Sequence, residues 1–215
     1  MSHHSIHRAP GRIITAVAFT VVTALVLSAC STTDEPTPAT ATNSEASSQA
    51  QAQSQEQLLA DHGLNGLDAR EVIDSLDALP VAERPTTLMA SVRPNELLLY
   101  DDQQRETSLA MPADEFYVSL APYVDQTHEC YFHSLTTCRG ELQNTDVHVV
   151  VTDNVSGETL VDEIRATFDN GFVGLWLPRD IDATITIEYD GLSATSGLST
   201  RSDDDATCVT TMQLA

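Results

Sequence analysis

The stretch THECYFHSLTTCRGEL, Thr127 to Leu142, places His128, Cys130, His133 and Cys138 in one short segment, and Cys208 follows far downstream in DDDATCVTTMQL. Three thiolates with imidazole nearby are soft donors, suited to Cu(I) or Zn(II) rather than to magnesium or calcium. A trigonal sulfur site leans towards Cu(I), whereas a fourth ligand from His133 would also satisfy tetrahedral zinc. The candidate metal ligands are therefore Cys130, Cys138 and Cys208, with His133 next and His128 after it. The spacing C-x2-H-x4-C matches no common zinc module. Two other readings fit the same residues. A Cys130–Cys138 disulfide could close a small loop and leave Cys208 free, or the pair could cycle between disulfide and dithiol and so couple metal redox change to thiol chemistry.

Other side chains carry weaker signals. Ser134 adjoins His133, but adjacent residues rarely aim at each other and no G-x-S-x-G setting is present; no catalytic residue is assigned. Asp203-Asp204-Asp205 lacks the spaced oxygens of a calcium loop and reads as a solvated loop. Met89 and Met212 sit in strand patterns and read as core. His148 alternates outward and reads as surface, His62 as a helix-end residue, and Trp176 as sandwich core.

The compartment follows from the first 30 residues. His7, Arg8 and Arg12 precede an apolar run, Ile13 to Leu27, that is shorter than the roughly 20 residues needed to span a bilayer. It ends in Leu27-Ser28-Ala29-Cys30, which resembles a bacterial lipobox. The expectation is a signal peptide over 1–29, lipidation at Cys30 and a protein tethered outside the cytoplasmic membrane. Residues 31–55, rich in Ser, Thr, Ala, Gln and Pro, cannot form a core and read as a disordered linker. With Cys30 lipidated, an odd number of thiols remains in an oxidising space, which favours a use for the unpaired one. All 32 acidic residues follow Cys30, but two of the ten basic ones precede it, so the chain beyond carries −24 and has no lysine. Such a surface disfavours nucleic acid and anionic lipid headgroups.

The elements that must position the cysteines are mostly strands. Asp68 and Glu71 form a capping-box pattern ahead of an apolar stripe, Val72, Ile73, Leu76 and Leu79, which Pro80 ends. From Pro85 the period changes to two. Strands are expected over 88–92, 96–100, 107–110, 116–124, 146–152, 159–168, 172–177, 183–189, 192–198 and 208–214, with Asp169-Asn170-Gly171 as a hairpin turn. The fold class is mainly β: an Ig-like or prealbumin-like antiparallel β-sandwich preceded by a small helical N-terminal part. Residues 56–112 form that helical and hairpin part, and 113–215 form the sandwich that carries the Cys/His site.

The segments DHGLNGLDAREVIDSLDALPVAERP, FYVSLAPYVDQTHECYFHSLTTC, FDNGFVGLWLPRDIDATITIEYDG and DDDATCVTTMQL together resemble the periplasmic copper-binding family CueP, over about Asp61 to Leu214. By that resemblance Cys130, Cys138 and Cys208 are the copper-site cysteines, with His133 and His128 nearby. It implies extracytoplasmic sequestration of copper, reduction of Cu(II), and supply to a cuproenzyme such as a Cu,Zn superoxide dismutase. The reading is a copper-binding lipoprotein rather than a turnover enzyme, and it leaves a homodimer open. The alternatives are a metal-free thiol–disulfide redox protein and a tethered scaffold braced by disulfides.

Overall fold

The structure is a computed structural model and describes residues 39–215. Helix α1 (Ala39–Asp61) occupies much of the stretch expected to be a linker. Ala, Gln and Glu are good helix formers, which outweighs the lack of an apolar stripe; its described side chains face solvent for the most part until Leu58, which is fully buried. Gly63, at φ +69, takes the left-handed turn just beyond the end of this helix. His62 stands at that end, as expected. Helix α2 (Ala69–Asp77) opens on the expected capping box of Asp68 and Glu71. It buries Val72, Ile73 and Leu76, and with them Asp77. A 3-10 turn, Val81–Glu83, leads into the strands.

Strands β1 (Leu88–Val92), β2 (Glu96–Asp101) and β3 (Glu106–Ala110) form an antiparallel sheet in chain order. A second sheet has the order β10-β4-β7, from β4 (Glu115–Leu120), β7 (Val173–Pro178) and β10 (Cys208–Val209). A third has the order β6-β5-β8-β9, from β5 (Asp146–Asp153), β6 (Thr159–Ala166), β8 (Asp182–Tyr189) and β9 (Leu192–Ser199). The protein is thus mainly β. Among the described residues every pairing between strands is antiparallel except that of β10 with β4, where Cys208 lies opposite Ser119.

The second and third sheets face each other as a sandwich. Its core is made by period-two alternation: Phe116, Val118 and Leu120 of β4 and Leu175 of β7 meet Val147, Val149 and Val151 of β5 and Ile185 and Ile187 of β8. The opposite face of β4 and β7 is covered too. Tyr117 packs with α2, the inner face of β1–β3 and Leu135 in a second core. Strand β4 is therefore walled on both sides, and its burial runs unbroken from Phe116 to Leu120.

Four expectations need correction. Trp176 is outside the sandwich core: it faces α2, with its ring 4.9 Å from Tyr117 and its Nε1 donating to Asp74 at 2.8 Å. Met89 is 55% exposed, because the buried face of β1 is carried by Leu88, Ala90 and Val92. Asn170-Gly171 does make a tight turn, with Gly171 at φ +79, but it joins strands of different sheets and is no hairpin. The last strand is only two residues long, and beyond it the chain touches Tyr123 through a single bridge at Gln213.

Candidate metal centre

Residues 121–145 carry no regular element, yet the loop is held at many points. His133 and Leu135 pair with β1 through Val92 N–H to His133 C=O at 2.8 Å and Leu135 N–H to Ala90 C=O at 2.9 Å. Thr207 Oγ1 accepts from His133 N–H at 3.0 Å and donates to Val92 C=O at 2.7 Å. This hydroxyl ties the loop, β1 and the approach to β10 together, since Thr207 and Cys208 N–H both reach Tyr131 C=O. Further along, the Glu141 carboxylate accepts from the N–H groups of Val124, Asp125 and Gln126. Gly140 N–H reaches Asn170 C=O at 2.6 Å, and a Cβ on Gly140 would stand 2.6 Å from the Gly171 carbonyl. Only glycine permits that approach.

This framework brings all five sequence candidates together. Cys130 and Cys208 form a disulfide across 78 residues, with Cα atoms 5.7 Å apart. Cys138 is a free thiol whose Sγ lies 3.5 Å from Cys130 Sγ. The alternative of a Cys130–Cys138 staple is thus replaced by a pairing with the last strand, which leaves Cys138 over. Two groups of ligand atoms result, each within 4.8 Å: a buried one of His133, Cys138 and Cys208, and an outer one of His128, Cys130 and Cys138. Cys138 belongs to both. Phe172 packs between the histidines, its ring 4.7 Å from His133 and 6.2 Å from His128. His128 is exposed, and beside Cys130 an open groove of about 330 Å³ is lined by Tyr123, Thr127, His128 and Glu129. Cys30, the expected lipidation site, lies outside the described residues.

Sequence reasoning missed the group beneath the cluster. Asp77 is fully buried at the end of α2. Its Oδ1 meets His133 Nε2 at 3.0 Å, Asn170 Nδ2 at 2.8 Å and Arg84 at 3.4 Å; its Oδ2 meets Tyr117 OH at 2.5 Å and Ser119 Oγ at 3.3 Å. The one available signal was an aspartate four residues after Ile73, on the apolar stripe.

Charges here are interdependent. Burial disfavours the His133 imidazolium, but the Asp77 carboxylate and then Cys138 outweigh it and raise its pKa to about 9. Burial likewise works against ionised Asp77, and His133, Tyr117 and Arg84 together hold its pKa below the ordinary value. For Cys138, burial opposes the thiolate, while hydrogen bonding and charge from His133 and the Ser134 N–H lower the pKa overall. The thiolate so favoured is the form of cysteine that can attack a disulfide or bind a metal.

A family model described as "Periplasmic copper-binding protein CueP" matches residues 71–213. The chain is 37% identical to a solved chain described as "Crystal Structure of S.CueP", with 74% of this chain and 96% of that one covered and a TM-score of 0.69. No curated protein matches.

Proposed function

The chain belongs to the periplasmic copper-binding protein family CueP, and from that premise we propose that it sequesters copper as Cu(I) on Cys130, Cys138 and Cys208, with His133 and then His128 completing the coordination. The observation that carries this reading is the convergence of three sulfurs and two imidazoles from two distant segments. Thiolate and imidazole favour a soft ion; three sulfurs and one nitrogen would also satisfy tetrahedral zinc, which is the lesser alternative because the family is described as copper-binding.

The disulfide gives the site a redox dimension. With Cys130 and Cys208 joined, Cys138 alone offers a thiolate; reduction of that bond releases the other two. The reduced pair can in turn deliver electrons: two Cu(II) gain one electron each, Cys130 and Cys208 lose two protons, and the S–S bond forms. This step is stoichiometric and leaves Cys138 as the one thiolate, so an external thiol reductant must reopen the bond before all three sulfurs can hold Cu(I). The copper so held would serve resistance and supply a cuproenzyme such as a Cu,Zn superoxide dismutase. Lipidation of Cys30 would tether the protein to a membrane of the cell envelope, on its extracytoplasmic side. Among the described residues no helix is long and apolar enough to cross a membrane. The mass of the mature N-terminus tests the anchor directly, since diacylated Cys30 is expected and an unmodified start would exclude it.

Anaerobic titration of the reduced protein against a calibrated Cu(I) chelator tests the core of the proposal. Wild type should bind tightly, and both Cys138→Ser and Cys208→Ser should lose or greatly weaken that binding. Undiminished affinity in either variant would remove its cysteine from the ligand set. One observation favours a second reading, metal-free thiol–disulfide exchange: the Cys138 thiol lies 3.5 Å from a disulfide sulfur. That reading requires turnover of a disulfide substrate with copper chelated away.

A further inference from the structure

We propose that Asp77 is the positioning residue of the copper site: it fixes His133 with Nε2 protonated, so that Nδ1 is the atom turned towards the sulfurs. The inference rests on the proposal that His133 is a ligand, and it deepens that proposal by naming the ligating atom and what selects it. Asp77 contributes no metal contact of its own; it acts only through the ring.

The argument is one of hydrogen-bond inventory. An ionised carboxylate can only accept. Around Asp77 the arginine has only donors to offer, the Asn170 contact is made by its amide nitrogen, and the hydroxyls of Tyr117 and Ser119 can donate. The fifth neighbour is His133 Nε2 at 3.0 Å. A bare nitrogen lone pair facing a buried carboxylate would be repelled, so Nε2 carries hydrogen whether the ring is neutral or charged. The other nitrogen, Nδ1, lies 3.9 Å from Cys208 Sγ, and the His133 ring belongs to the buried group with Cys138 and Cys208. Ligating histidines commonly give their second N–H to a carboxylate, which fixes the tautomer and makes the free nitrogen a better donor. Here the carboxylate comes from α2, outside the cysteine-bearing segments. Asn170 and Tyr117 reach it from the turn between β6 and β7 and from β4. An amide in its place would turn two hydrogens towards a ring of donors, so Asp77→Asn would disrupt the arrangement although its shape is the same.

The test is nitrogen-15 NMR of the His133 ring in the full-length reduced protein, without metal and after anaerobic loading with Cu(I), alongside the chelator titration. In wild type, Nε2 should keep a slowly exchanging proton in both states, and only the Nδ1 resonance should move on loading. In Asp77→Asn the loaded ring should show mixed or reversed nitrogen signals, with Cu(I) affinity lower by about 10- to 100-fold. A wild-type spectrum in which Nε2 loses its proton or is the nitrogen that responds to Cu(I) overturns the proposal, and needs no variant to fold. Unchanged spectra and affinity in Asp77→Asn overturn it as well. If instead the Nε2 proton depends on Asp77 but His133→Ala binds Cu(I) as wild type does, the orienting role stands and His133 leaves the ligand set.

Discussion

At the residue scale the cluster shows what single positions reveal about themselves. Cysteine and histidine announce their chemistry by type, so Cys130, Cys138, Cys208, His133 and His128 could all be named before any fold was known. Which cysteines pair could not, because pairing depends on where β10 docks, and the structure joins Cys130 to Cys208 rather than to its near neighbour. Asp77 stayed hidden for a different reason: among the 32 acidic residues of the chain it is marked only by its place on an apolar stripe, and its meaning comes from the donors that surround it. The buried pair it makes with His133 has a thermodynamic signature. The folded-state pKa of His133 is raised from 6.5 to about 9, so the stability it contributes is fully present below 6.5 and is lost as pH rises through about 9. We expect the melting temperature of the reduced, copper-free protein to fall across that window, and His133→Gln to flatten the slope. Equal slopes in the two proteins would mean that the pair contributes nothing.

At the element scale, strand periodicity was legible nearly throughout. The alternation in Ala183, Ile185 and Ile187 corresponds to the buried face of β8, and Asp68 and Glu71 to the observed cap. What alternation does not carry is the identity of the partner. Asn170-Gly171 has the composition of a hairpin turn, but that composition specifies only local dihedrals, and here the turn passes the chain between sheets. Its second duty is to lie against Gly140, two residues after Cys138. Gly171→Ala would place a Cβ 2.6 Å from the Gly140 backbone at φ +79, and a side chain in that region costs about 1–3 kcal/mol before the clash is counted. The variant should melt lower and bind Cu(I) more weakly, because the displaced backbone carries Cys138. An alanine at Gly157, also at positive φ but with nothing within 4 Å, should affect stability alone. Loss of affinity in that control would show that the glycine effect is not local to the site.

At the scale of the whole molecule, two cores share β4 as a common wall. Substitutions in the sandwich, such as Ile185→Ala at a fully buried position, should cost about 2–5 kcal/mol. They should do so without altering the affinity of the molecules that remain folded, since no ligand lies in that core. The shared wall also predicts that the helical side and the sandwich unfold together. Trp176 fluorescence, which reports on the α2 side, and far-ultraviolet circular dichroism should give coincident urea transitions; separate midpoints would show two independent units. This coupling was not readable in sequence. A strand buried on both faces, as Phe116 to Leu120 is, reads only as an apolar run, and nothing in it says which layers it divides.

Cys208 lies in the last and shortest strand among the described residues, and there the only one that joins its sheet in parallel. During synthesis every other sulfur and both imidazoles of the cluster are made well before it. A nascent chain or a truncated product can contain the whole motif loop and still lack a ligand, a disulfide partner and the strand that seats both. On the proposed ligand set, the complete three-sulfur site is therefore expected only in chains that extend through β10. Fragments released early by the ribosome or clipped near the C-terminus would then offer the ion fewer sulfurs than intact protein and compete for it less well.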